Sequence, residues 1–251
     1  MNAPARGNSH DKRLEQTADI LRLLRKTYPE ASIVLHYHTP WELLVAVVLS
    51  AQCTDIVVNK VTEKLFVKYK TLEDYGDADL TEFEQNIKST GFYHNKAKNV
   101  LAAAKLIKEK FGGSVPNTMD ELLTLPGVAR KTANVVLGNA YGVVEGIAVD
   151  THVLRLSQRL RLVDLTSIGG KKELLFQRPG LGGHQRPGLE VDYKKDADPV
   201  KIEKELMTTI PKKDWFKTTY LLIAHGRAVC RAQHPDCSHC MLSKLCPSSR
   251  I

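Results

Sequence analysis

Four cysteines crowd the last 22 residues of this 251-residue chain, spaced as Cys230-x6-Cys237-x2-Cys240-x5-Cys246. No other stretch restricts the fold so tightly. The N-terminus MNAPARGNSHDKR lacks the apolar core of a secretory signal and no run of 18 apolar residues occurs, so an intracellular protein without a membrane span is expected. Disulfides are disfavoured in a reducing compartment, whereas four thiolates within 17 residues can converge on one metal centre. All-thiolate ligation suits either an iron–sulfur cluster or a structural zinc. Zinc ribbons usually carry two CxxC pairs, and only Cys237 and Cys240 have that spacing here. His234 and His239 fall inside the loop, but four thiolates already complete a site, so both are expected as exposed loop residues. The fifth cysteine, Cys53, lies in LLVAVVLSAQC and reads as a small buried side chain.

The rest of the chain carries helical periodicity. Leu14, Ala18, Leu21, Leu24 and Tyr28 recur at helical spacing. Thr39-Pro40-Trp41-Glu42 opens a second helix, with Thr39 as cap, Pro40 at the first helical position and Glu42 completing a capping box before the apolar run Leu43 to Leu49. A third helix starts near Thr54 with Val57, Val61 and Leu65 on one face, and a fourth, over about 79–89, ends at Gly91. Ala97, Val100, Leu101, Ala104 and Ile107 mark the inner face of a fifth, stopped by Gly112-Gly113. Thr118 to Glu121 is a further capping box, and helices follow over about 130–141, from Asp150, from Asp198-Pro199 to about Thr209, and over about 214–229. No stretch shows sustained period-two alternation, so the class is all-α. Residues 165–197, rich in Gly and Lys/Arg and containing QRPGL twice, break the pattern and read as an insertion; a basic flap over nucleic acid is the sharper alternative.

Lys and Arg number 36 against 28 Asp and Glu, a net +8 that favours a polyanionic partner such as nucleic acid. The stretch Leu125-Pro126-Gly127-Val128-Ala129-Arg130-Lys131 resembles a helix-hairpin-helix, an element that offers backbone N–H groups to a DNA phosphate without reading bases. Lys131 follows within the first turn of the second helix. The positive end of the helix dipole disfavours a cation there, so Lys131 should lose some preference for its charged form, as a nucleophilic amine must.

The hairpin with Lys131, the run AVDTH with Asp150 and the four-cysteine loop together resemble the endonuclease III family of DNA repair glycosylases, over a match from about Leu14 to Cys246. The resemblance implies two helical domains flanking a DNA-binding cleft. One is a six-helix barrel over 33–143. The other joins the tail and helix of 1–32 to 144–251, with the insertion at about 165–197. It also implies a [4Fe-4S] cluster on Cys230, Cys237, Cys240 and Cys246, with Lys131 and Asp150 as the catalytic pair. The DNA contacts it implies are Gly127, Val128, Ala129 and Arg130, with Gln52 and Phe92 inserted into the stack vacated by an extruded base. The family often has glycine where this chain has Ala129.

The implied activity is base excision repair: an N-glycosylase and abasic-site (β-elimination) lyase acting on oxidised pyrimidines such as thymine glycol in duplex DNA. A monomer in the bacterial cytoplasm, associated with the nucleoid through DNA, is expected. Two alternatives differ in class. A monofunctional relative, the mismatch adenine glycosylase, typically lacks the lysine and carries a further C-terminal domain. A non-enzymatic DNA-binding protein with a structural metal leaves Lys131 and Asp150 unexplained.

Overall fold

The computed structural model describes residues 9–174 and 192–251; both QRPGL copies lie outside them. The chain divides into two units, one of Ile33–Glu145 and one of Gly146–Ile251 together with the chain up to Ser32. The described residues are almost wholly helical.

The 33–145 unit is built around α2 (Pro40–Leu49), whose residues Leu43 to Leu49 are all buried. A helix apolar on every side has to sit inside a shell of others. That shell comprises α3 (Asp55–Lys68), α4 (Leu72–Gly76), α5 (Leu80–Ile87), α6 (Tyr93–Lys110), α7 (Met119–Leu122) and α8 (Arg130–Val136). Each fully buried Leu or Val contributes roughly 1.5–3 kcal/mol from its removal from water. Trp41, Tyr69, Tyr75 and Phe83 add an aromatic cluster with ring centroids 5.1–5.8 Å apart.

Three local details depart from the sequence reading. Thr39 Oγ1 accepts the Glu42 amide, but the Glu42 carboxylate takes the His38 amide at 2.6 Å instead of the cap's own. The inward face of α3 is Val58, Thr62 and Leu65, not Val57 and Val61, which are half-buried. The full capping box is at Thr71 and Asp74, opening the five-residue α4 that periodicity is too short to reveal. Two backbone amides hold the Asp74 carboxyl below its usual range.

In the other unit, α1 (Ser9–Thr27) packs Ile20, Leu21 and Leu24 against α9 (Thr151–Arg159), α10 (Pro199–Thr209) and α11 (Trp215–Ala228). Leu242, between the last cysteines, is fully buried in this core, so the cysteine loop is seated on it. Gly226 of α11 allows a close crossing with α9, because a Cβ there would lie 2.7 Å from His152 Nδ1. Where the sequence suggested no regular structure, a short antiparallel ribbon forms from β1 (Lys171–Leu174) and β2 (Asp192–Lys195), with Lys171 opposite Lys195. Buried Gln158 fixes the ribbon by exchanging two hydrogen bonds with the Lys194 backbone. Such a contact leaves no trace in local alternation.

Candidate functional site

The hairpin between α7 and α8 is a type II turn. The Val128 amide donates to Leu125 O at 3.1 Å, Pro126 occupies the second position and Gly127 the third with φ +76°. A side chain at Gly127 would meet the Asn99 Cβ at 2.8 Å, so both backbone conformation and space demand glycine. Ala129 caps α8 with φ −95°, an extended conformation that alanine adopts without strain. Its departure from the familiar glycine therefore carries no backbone penalty. Val128 is buried and its amide closes the turn, whereas Gly127 and Ala129 are exposed. Lys131 is half-buried as the second residue of α8. That helix continues into a π-helical turn, Leu137–Tyr141, which Gly142 ends.

Gln52 and Phe92 share two unusual features. Both are exposed, Phe92 by 65 %, and both have left-handed backbones, with φ +53° and +47°. Non-glycine residues adopt that conformation at a cost and persist there only when their surroundings hold them. They line one pocket together with Gly127, Ala51, Asn95, Lys96 and Asn99. Phe92 is thus not a core aromatic. Residues 52, 92 and 127, far apart in sequence, meet around a single concavity of the 33–145 unit. The sequence reading missed Lys96, Asn95 and Asn99. A signal existed for Lys96: it falls on the apolar stripe of α6, next to Ala97 and one turn before Val100. Cys53, beside Gln52, is only half-buried.

In the other unit Asp150 caps α9, its Oδ1 accepting the Val153 amide at 2.8 Å. Two arginines of the same helix reach the cysteine loop. Arg155 donates to Cys230 O and Gly226 O, and Arg159 to Arg231 O, Ala232 O and the Cys230 Sγ at 3.3 Å. Cys230, Cys237, Cys240 and Cys246 line one pocket with Arg159, His225 and Ser249. Burial, with the other cysteines adding to it, pushes the Cys246 thiol up to about 11 and the Cys240 thiol upward as well. Burial also drops His225 to about 4, so its ring is neutral at pH 7. With Tyr28 Oη donating to Nδ1 at 3.2 Å, its Nε2–H faces Cys240 Sγ at 3.6 Å. Among the described residues no three His, Cys, Asp or Glu side chains are grouped as for one metal ion. His234 and His239 are exposed.

Residues 45–176 match the family model described as the HhH-GPD superfamily base excision DNA repair protein. The chain is 47% identical over 236 residues to endonuclease III of Synechocystis sp., covering 94% of each chain. It is 45% identical to endonuclease III of Bacillus subtilis, covering 93% of this chain and 92% of the relative. Its fold is similar, with a TM-score of 0.80 and 41% identity over 94% of this chain and 97% of the other, to a trapped endonuclease III–DNA covalent intermediate, an estranged-adenine complex.

Proposed function

Because the chain belongs to the endonuclease III family of helix-hairpin-helix base-excision DNA repair proteins, we infer that it is a DNA glycosylase and abasic-site lyase of base excision repair. Its partner is DNA, and the substrates proposed are duplexes carrying an oxidised pyrimidine, such as thymine glycol, or an abasic site. A bacterial cytoplasmic setting is proposed from the bacterial origin of the relatives, and a monomer working on the nucleoid is proposed with it. No helix among the described residues is long and apolar enough to cross a membrane.

The observation that carries the reading is Lys131 in the first turn of α8, directly behind a turn built for glycine. In the mechanism proposed, the neutral Lys131 amine attacks C1′ of the damaged nucleotide. The C1′–N bond breaks, and the base leaves with the bonding pair and takes up a proton. Opening of the sugar at O4′ and loss of the amine proton give a Schiff base; removal of a C2′ proton then expels the 3′ phosphate by β-elimination. Asp150 supplies the negative charge that complements the positive charge developing on the sugar. Capping α9 does not conflict with this, since accepting the Val153 amide leaves the carboxylate its charge.

A base inside a duplex must be extruded first, at a cost of a few kcal/mol of unstacking. Gln52 and Phe92 fill the gap in this reading, supported by their exposure and shared pocket. The Gly127 and Ala129 amides and the Arg130 charge hold a backbone phosphate, while Val128 contributes the closure of the turn.

The four cysteines are proposed to hold a [4Fe-4S] cluster. Their common pocket, their all-sulfur donor set and the N–H groups of Arg159 and Leu242 directed at Cys230 and Cys240 support the fit. So does Ser249 Oγ, a buried polar atom of the pocket residues with no protein partner. Thiols pushed upward by burial keep their protons unless a cationic centre replaces them, so loading the cluster would release protons from Cys240 and Cys246. When bound, the cluster would order the loop that presents the exposed Arg231 and Lys244, beside the exposed Arg227 in the last turn of α11.

Borohydride reduction in the presence of abasic or thymine-glycol duplex tests the activity. The expected result is a covalent protein–DNA adduct, abolished in Lys131→Ala while DNA binding persists. Adduct formation by the alanine variant at the wild-type rate overturns the lysine assignment.

A further inference from the structure

Lys96 is a lysine that the mechanism does not use, yet it is only 5 % exposed. It lies in the first turn of α6 and its Nζ donates to two backbone carbonyls, Leu49 O and Thr90 O, each at 2.8 Å. Leu49 is the last residue of α2, and Thr90 is the last residue of the 3-10 turn Lys88–Thr90. Terminal carbonyls have no donor within their own helix and carry the negative end of its dipole, so an ammonium is the complementary group.

The residues just beyond the two carbonyls give the arrangement its meaning. Gln52 stands three positions past Leu49, and Phe92 stands two past Thr90, preceded by Gly91 at φ +68°. Both side chains leave strained left-handed backbones, and both line the pocket whose wall includes Lys96. We propose that Lys96 is a positioning residue that ties the Gln52 and Phe92 segments together, so that both side chains enter the DNA stack as one wedge. The inference rests on the reading of Gln52 and Phe92 as the gap-filling side chains.

Lysine suits the task better than its usual replacements. A tetrahedral ammonium on a flexible stem can direct separate N–H bonds at two convergent carbonyls, whereas the planar guanidinium fork of arginine is larger and matches a different geometry. Methionine fills the volume and makes neither bond. Burial pulls the ammonium below its ordinary value, with the neighbouring Cys53 opposing that shift, yet a neutral amine would still carry two N–H donors. Both hydrogen bonds are therefore kept in either protonation state, and only the charge that complements the carbonyls goes with the proton.

The test compares single-turnover cleavage of an abasic site in a paired duplex with cleavage of the same site in a single strand, where no stack needs filling. Wild type, Lys96→Met, Lys96→Arg, Phe92→Ala and the Lys96→Met/Phe92→Ala double variant are measured. The duplex-to-single-strand ratio is expected to fall about tenfold in Lys96→Met, equivalent to about 1.4 kcal/mol, and to fall in Phe92→Ala. The double variant should fall no further than the larger single effect, because the two act as one unit. Should Lys96→Met fail to fold, Lys96→Arg, which keeps the charge but displaces the carbonyls, must show the lowered ratio. A wild-type ratio in the folded Lys96 variants, beside a lowered one in Phe92→Ala, overturns the positioning role alone. An unchanged ratio in Phe92→Ala overturns the wedge reading and the inference with it.

Discussion

Replacing Gly127 with alanine strikes the hairpin at the point where sequence, backbone and packing agree. The residue sits at φ +76°, and an added Cβ comes within 2.8 Å of Asn99 Cβ and 2.9 Å of Asn99 Nδ2. The left-handed backbone costs an L-residue about 1–2 kcal/mol, and crowding a packed contact costs about 1–3 kcal/mol more. The Cβ of Asn99 is fixed to α6 and cannot swing aside, so the turn itself must move. At 2–4 °C per kcal/mol, a total of about 2–5 kcal/mol lowers the melting temperature by roughly 5–20 °C. A displaced turn also loses its phosphate, so the slope of log affinity against log salt should become shallower by about one contact. Thermal melting and salt titration of binding to an undamaged duplex read the two effects separately. Ala129→Gly is the matched control and should change little, because Ala129 is extended at φ −95°. Wild-type melting and wild-type salt slope in Gly127→Ala would refute the reasoning.

Other expectations rest on the same geometry. Asp150→Asn retains a good helix cap but removes the charge, so it should melt like wild type and lose turnover; Asp150→Ala should also lose about 1 kcal/mol of stability in a denaturant titration. Purified protein should be yellow-brown, and stripping iron should make residues 230–246 the first segment cut in limited proteolysis. Zinc without iron in elemental analysis would contradict the cluster. The Asp164 carboxyl is held below its ordinary value by the Thr166 amide and hydroxyl, with Arg13 adding to this. A depressed folded value gives stability that is present above the unfolded value of 3.8 and lost as pH falls through the folded one. Asp164→Asn should therefore melt lower at pH 7 and lose that difference in acid, as seen in melting curves across pH.

Much of the fold was legible because it rests on local chemistry. Thr39, Thr54, Asp79, Thr118, Asp150 and Asp198 all cap the helices they precede, since a short acceptor side chain satisfies free amides wherever a helix starts. Pro126-Gly127 announced its turn because proline fixes its own backbone angle and glycine accepts the left-handed one that follows. What escaped depends on contacts distant in sequence. The ribbon is held by Gln158 gripping Lys194, and the partners of Lys96 on the apolar stripe of α6 appear only when Leu49 and Thr90 are brought to it. The inner face of α3 was misread by one residue because Val57 and Val58 are equally apolar and only the packing partners choose between them. Gln52 and Phe92 were singled out through the family resemblance; their left-handed backbones and common pocket could not be read from the sequence.

The central claim is that one amine performs both bond-breaking steps. Proteolysis of the borohydride-reduced adduct followed by mass spectrometry locates the deoxyribose remnant on a single side chain. The account predicts Lys131, within the peptide that begins after Arg130. A remnant on the N-terminal amine or on any other lysine, with Lys131 unmodified, would contradict it.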